Sequence, residues 1–112
     1  RVSVPLGQSY SASFLFGRRL CTLDIDDLSA GGIALRGTRQ ETSMLFMGRV
    51  LPQVTVSLAD GVSITAALKV RSRRRYQSFL LGEQVLVGCS IEKISVEDSE
   101  LLTQHLTQAM SA

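Results

Sequence analysis

The feature that most constrains this chain is strict period-two alternation on both sides of Asp60-Gly61. Val54, Val56 and Leu58 alternate on the way in, and Val62, Ile64, Ala66, Leu68 and Val70 alternate on the way out. Successive strand residues point to opposite faces, so each arm carries one apolar and one wetter face. Asp-Gly is the kind of short loop over which antiparallel arms close, and the pattern predicts a β-hairpin with a two-residue turn. A lone hairpin is marginal in water, so the rest of the chain must supply more sheet.

Further strand signals lie on both sides. Residues 9–16 suit a half-buried strand with Tyr10, Phe14 and Phe16 on one face, closed by Gly17. Cys21, Leu23 and Ile25 then alternate with Thr22, Asp24 and Asp26, which predicts a core face and an acidic wet face. Asp27-Leu28-Ser29-Ala30-Gly31-Gly32 is a turn by composition, and Ile33-Ala34-Leu35 resumes an extended apolar segment. Residues 37–43 read as a loop, and Met44-Leu45-Phe46-Met47 fits strand or helix. Arg71-Ser72-Arg73-Arg74-Arg75 reads as a second hairpin tip or loop before a last strand with Val85, Val87, Cys89 and Ile91. Short strands with frequent turns and no long intervening helix predict a sandwich or a closed barrel.

The period changes at the C-terminus. Ser95 and Asp98 resemble a capping box, and Glu97, Asp98 and Glu100 place negative charge in a first helical turn. Leu101, Leu102, Leu106, Ala109 and Met110 share a stripe, which predicts one amphipathic C-terminal helix.

At 112 residues with 45% hydrophobic content the chain suits a single domain, residues 1–112, able to bury its own core. A net charge of +2 is too small for tracking a nucleic-acid duplex. No apolar run approaches the roughly 20 residues that span a bilayer, and the start lacks a secretory core, so direct membrane insertion is not expected and a cytoplasmic location is. Cys21 and Cys89 are expected as reduced thiols that pack as small apolar groups.

Little supports catalysis, and no enzyme activity is expected. His105, the single histidine, lies beside the helical apolar stripe, and no Ser-His-Asp or metal-ligand spacing accompanies it. Asp24, Asp26 and Asp27 suit either a solvated strand edge or a hard cation. The Asp27–Gly32 turn has more to offer. Asp27 and Ser29 face one side if extended, a carboxylate and a hydroxyl beside glycines that admit a flat ligand such as guanine. The same residues also suit a plain Asx-type turn. Ten of the twelve basic residues are arginine, whose planar guanidinium grips phosphate bidentately and stacks on bases. Arg71, Arg73, Arg74 and Arg75 suit a solvated loop, a binding surface or a partner contact.

These residues together resemble a known family. Asp27-x-Ser29-x-x-Gly32, after a strand and followed by Ile33-x-Leu35, resembles the (Asp/Asn)-x-Ser-x-x-Gly motif of PilZ domains, bacterial receptors for cyclic di-GMP. Arg1-Val-Ser-Val-Pro5-Leu6 resembles the second arginine of the family's Arg-x-x-x-Arg motif together with the short stretch and Pro-Leu pair that come after it in the flagellar-brake (YcgR-type) branch. Val87-Gly-Cys-Ser-Ile91 with Ser95-x-x-Asp98 is similar to the family's last strand and helix. The resemblance covers nearly the whole chain.

It implies a six-stranded antiparallel PilZ-type β-barrel with a C-terminal α-helix and the ligand at its rim. Asp27 and Ser29 would contact a guanine edge, Gly32 would permit the turn, and Arg1 would grip phosphate or stack on guanine. Cyclic di-GMP is then the ligand, with no further cofactor and no metal. The motif's first arginine would lie four positions before Arg1, so the chain is expected to be cut from a longer protein and to bind the dinucleotide poorly by itself. The implied role is an effector that regulates motility through a ligand-induced conformational change, with flagellar motor or stator proteins as partners at the basal body. Alternatives are a protein-interaction module without nucleotide binding and the regulatory domain of an exopolysaccharide synthase.

Overall fold

In the computed structural model the described residues are 2–3, 10–58 and 61–111, with side chains described for 10–58 and 61–108. Strand β1 is Val2–Ser3, β2 Ser11–Phe16, β3 Arg19–Leu28, β4 Gly32–Gly37, β5 Val50–Ser57, β6 Ser63–Ser78 and β7 Gly82–Ile94, and helix α1 is Val96–Ser111. The order β3-β2-β5-β6-β7-β4 returns to its start because β4 also pairs β3, and every pairing is antiparallel. The result is the expected closed six-stranded barrel with one C-terminal helix. Closure leaves no long free edge among these strands, which removes the aggregation hazard of an open sheet. The short β1 rides on β3 beyond the end of β2.

Alternation fills the interior. Leu23 and Ile25 of β3, Ile33 and Leu35 of β4, Val54 and Val56 of β5, Ile64, Ala66, Leu68 and Val70 of β6 and Val85 and Val87 of β7 are all buried in one core. Cys89 joins it, Cys21 packs half-buried against it, and both thiols are free. The β2–β3 hairpin turns at Gly17, whose φ of 64° is a backbone state that glycine adopts at no steric cost.

Helix α1 covers the barrel, with Leu102 and Leu106 packed against the core. Leu102 inserts into the core at 1% exposure, and Tyr10 Oη shares a 2.6 Å hydrogen bond with His105 Nε2. His105 is thus a packing residue at the helix–barrel boundary. Ser95 Oγ caps the Asp98 N–H at 3.1 Å, as the sequence pattern predicts. The Asp98 carboxylate accepts the Thr65 N–H at 3.0 Å, so it fastens the helix start to β6.

Several expectations are corrected. Arg71 to Arg75 are neither loop nor hairpin tip: they lie inside β6, which stays paired with β7 from Ala66↔Ile94 to Ser78↔Gly82. A partner strand of matching length keeps this arginine-rich stretch extended although its charge reads as a loop. The central hairpin pairs Ser57 with Ser63 and closes Leu58 N–H on the Val62 carbonyl at 2.7 Å, so the connection is one residue longer than a two-residue turn. Gly61 takes φ 76° there, and Asp60 lies outside the described residues. Asp27 and Leu28 belong to β3, and the turn proper begins at Ser29. Phe16 is 38% exposed, outside the core, with the Arg49 guanidinium 4.6 Å over its ring. Residues 44–47 are neither strand nor helix, and Leu45 plugs the core from that connection.

Candidate functional site

The predicted site sits where β3 gives way to β4. Pairing runs Asp24↔Arg36 and Ile25↔Leu35, then Asp27↔Ala34, so Asp26 is an extra, bulged residue. Continued alternation from Cys21, Leu23 and Ile25 would turn position 27 toward the core. The bulge re-phases the strand: Ile25 and Leu28 are buried while Asp26 and Asp27 are half-buried. It thereby keeps the Asp27 carboxylate out of an apolar interior where its charge would be costly. Asp24 and Asp26 flank the Arg36 guanidinium at 3.7 and 3.5 Å, an ion-paired patch on the outer face.

Ser29 closes the turn. Its N–H donates to the Gly32 carbonyl at 2.9 Å, its hydroxyl donates to the same carbonyl at 3.2 Å, and the Gly32 N–H donates back to Ser29 Oγ at 3.1 Å. A hydroxyl has one hydrogen and two lone pairs, so one lone pair remains to accept from a ligand N–H. The turn reading and the site reading of Ser29 are therefore compatible. The Gly31 carbonyl accepts the Ile91 N–H at 3.0 Å, which fixes the turn against β7. A Cβ at Gly31 would meet nothing within 4 Å, so the glycine leaves the approach open.

The N-terminal segment reaches the same place. Val2 pairs with Leu28 and Ser3 with Asp27, which brings the start of β1 beside the motif. Arg1 lies outside the described residues.

A cavity of about 240 Å³ opens beside the turn. Ser29, Gly31 and Gly32 form one wall; Arg71 and Ser72 of β6 and Ser90 of β7 form the other. Asp27 stands on the strand leading to it and does not line it. Sequence reasoning did not place Arg71 here, because residues 71–75 read as a loop and not as part of β6, and the stretch also carries a second irregularity. Val70 pairs Cys89 and Ser72 pairs Gly88, leaving Arg71 as the extra residue of a bulge. The outward polar positions Ser72 and Ser90 are the only hint in the sequence, and they converge only once the register is known. Gly88 permits close approach, since a Cβ there would collide with Ser72 Oγ. Cys89, which also lines the cavity, has its thiol pushed up to about 11 by burial, which leaves it a poor nucleophile.

The other arginines go elsewhere. Arg73, Arg74 and Arg75 line a separate cavity of about 380 Å³ with Arg39. Arg73 is committed within it: one guanidinium nitrogen donates to the Thr42 and Leu45 carbonyls at 2.7 and 2.5 Å.

A closed six-stranded barrel with a C-terminal helix and this turn at its rim is a PilZ fold. The K. pneumonia MrkH–c-di-GMP complex superposes with a TM-score of 0.86 at 17% identity, over 98% of this chain and 50% of that one. A second MrkH structure, described as a c-di-GMP-dependent transcription regulatory factor, matches at TM-score 0.83 and 17% identity over 97% of this chain and 48% of its own. The PilZ domain of Escherichia coli YcgR with c-di-GMP matches at TM-score 0.78 and 14% identity, over 98% of this chain and 88% of that domain. The chain thus spans about half the length of the MrkH chains it matches. No family profile and no curated protein matches the chain, and at these identities the likeness is one of fold.

Proposed function

We propose that the chain is a cyclic di-GMP effector domain that binds the dinucleotide at the β3–β4 rim and passes the binding event to a neighbouring element. The observation that carries this reading is the register of β1, with Val2 on Leu28 and Ser3 on Asp27. It sets Val2 and Ser3 beside the start of Asp27-x-Ser29-x-x-Gly32, so described residues from both halves of the resemblance meet at one edge of the barrel. In this reading the free lone pair of Ser29 and the Asp27 carboxylate accept from the N–H edge of a guanine. Gly32 keeps the turn compact, and Arg1 grips phosphate or stacks on the base. The ligand structures of MrkH and YcgR, which share the fold, support the choice of dinucleotide.

The output runs through β1, which among the described residues pairs with β3 and also lies against helix α1, so a ligand that engages β1 bears on both elements. The proposed consequence is control of motility, with a flagellar motor or stator protein as partner and a cytoplasmic location at the basal body. The Pro5-Leu6 likeness to the flagellar-brake branch supports this output. No helix among the described residues is long and apolar enough to cross a membrane.

Calorimetric titration of cyclic di-GMP into the protein of natural length, and into its Asp27→Ala and Ser29→Ala variants, tests the reading. Binding by the parent and loss in both variants is expected; unchanged affinity in both variants would remove the site assignment. No binding by the parent would leave a barrel that works through protein contacts.

A further inference from the structure

We infer that Arg71 is a phosphate-gripping residue of the rim cavity and that Glu92 holds it in a competing ion pair when no ligand is present. The inference rests on the cyclic di-GMP reading and extends it to a residue outside the motif. Arg71 Nε donates to Ser90 Oγ at 3.0 Å, Arg71 NH2 lies 3.4 Å from Glu92 Oε1, and Ser90 Oγ donates to Glu92 Oε2 at 3.4 Å. A guanidinium has five N–H donors, so this arrangement leaves donors available to a second acceptor. The Arg71 side chain is 56% exposed and that of Glu92 37%, so the pair is solvent-screened and easily exchanged.

The two walls of the cavity have opposite hydrogen-bonding character. Ser29 offers a lone pair on the β4 side, whereas Arg71 offers guanidinium N–H groups and Ser72 a hydroxyl on the β6 side, with the Ser90 hydroxyl between them engaged by Arg71 and Glu92. β7 lies between β4 and β6, so Arg71 stands two strand spacings, about 10 Å, from the β4 wall with Ser90 between them, a span of the order of one nucleotide. A guanine edge on Ser29 therefore directs the attached phosphate toward Arg71. Alternation from Val70 turns Arg71 outward, and the extra residue of the bulge turns Ser72 outward beside it, where Gly88 leaves room for its hydroxyl. A volume of about 240 Å³ is smaller than the roughly 300–1,000 Å³ of pockets that enclose a whole ligand, so the cavity takes one nucleotide unit and leaves the rest of the dinucleotide outside.

Cyclic di-GMP affinity and its salt dependence, measured on the natural-length protein and four variants, test the assignment. Arg71→Gln should weaken binding about 10- to 100-fold, the range for one charge-assisted hydrogen bond, and flatten the salt dependence. Arg74→Gln removes the same charge outside the rim cavity and should change affinity less than about twofold. Glu92→Gln frees the guanidinium and should tighten binding, while Ser29→Ala reports on the motif site independently. Equal affinity in Arg71→Gln and parent, alongside loss in Ser29→Ala, would overturn the role of Arg71 and leave the cyclic di-GMP reading standing. If the parent binds no dinucleotide, titration of guanosine monophosphate followed at the Arg71 Nε–H and Ser90 amide resonances separates the two claims. Shifts there would keep the phosphate site without the dinucleotide reading, and their absence would overturn both.

Discussion

Arg73, Arg74 and Arg75 are chemically identical neighbours, yet their replacement should have very different consequences. The Arg73 guanidinium donates to two backbone carbonyls, Thr42 at 2.7 Å and Leu45 at 2.5 Å, across sequence separations of 31 and 28 residues. Both carbonyls belong to residues that are 0% exposed, in the connection that carries Leu45 into the core. A hydrogen bond from a charged donor contributes about 1.5–3 kcal/mol; the Thr42 carbonyl keeps the Leu45 N–H at 3.0 Å and rehydration of the Leu45 carbonyl returns some of the rest, so Arg73→Met should cost about 2–4 kcal/mol. In a domain stabilised by about 5–15 kcal/mol that is a large fraction, visible as a fall in Tm of roughly 10 °C. Arg74→Met and Arg75→Met remove exposed side chains and should stay within about 0.5 kcal/mol of the parent. Urea denaturation of the three variants side by side makes the comparison. Equal losses across the three would refute the argument that Arg73 pins the β4–β5 connection to β6.

Two further outcomes are expected from the same packing. Burial raises the Cys89 thiol from 9.0 to about 11, so the folded chain keeps a proton that the unfolded chain releases, and stability is intact below pH 9 and falls as pH rises toward 11. The slope reaches at most about 1.4 kcal/mol per pH unit, and denaturation at pH 8 and pH 10.5 should show a loss that Cys89→Ala lacks. Gly88→Ala brings a methyl against Ser72 Oγ, the rotatable end of an exposed side chain, so a turn about χ1 relieves the contact and thermal melts should show a change under about 1 kcal/mol; a larger loss that Ser72→Gly does not recover would place the strain in the backbone.

How far the residues disclose this structure depends on how local each cause is. The interior of β6 up to Val70 is legible because alternation needs no knowledge of a partner. The Asp27–Gly32 turn is legible for a similar reason, since Ser29 and Gly32 satisfy one another within four residues. The extension of β6 through Arg75 is not legible, because a charge-rich run stays extended only when a long β7 lies beside it. The bulges at Asp26 and Arg71 are hidden in the same way. A bulge is a property of two strands at once: the one at Asp26 takes Asp27 out of the core phase, and the one at Arg71 brings Ser72 to the outer face beside it. The half of the candidate site contributed by Asp27, Ser29 and Gly32 therefore reads directly from the sequence, while Arg71, Ser72 and Ser90 emerge only from the register. Asp98 stands between these cases, since the capping pattern predicts its position but not its bond to Thr65.

The most direct test of the central claim is an amide chemical-shift titration of the natural-length protein with cyclic di-GMP. Perturbations concentrated at Val2, Ser3 and residues 27–32, with further shifts at Arg71, Ser72 and Ser90, are the expected result. Saturable shifts confined to Arg39, Arg74 and Arg75, or none at any concentration, would contradict a nucleotide site at the β3–β4 rim.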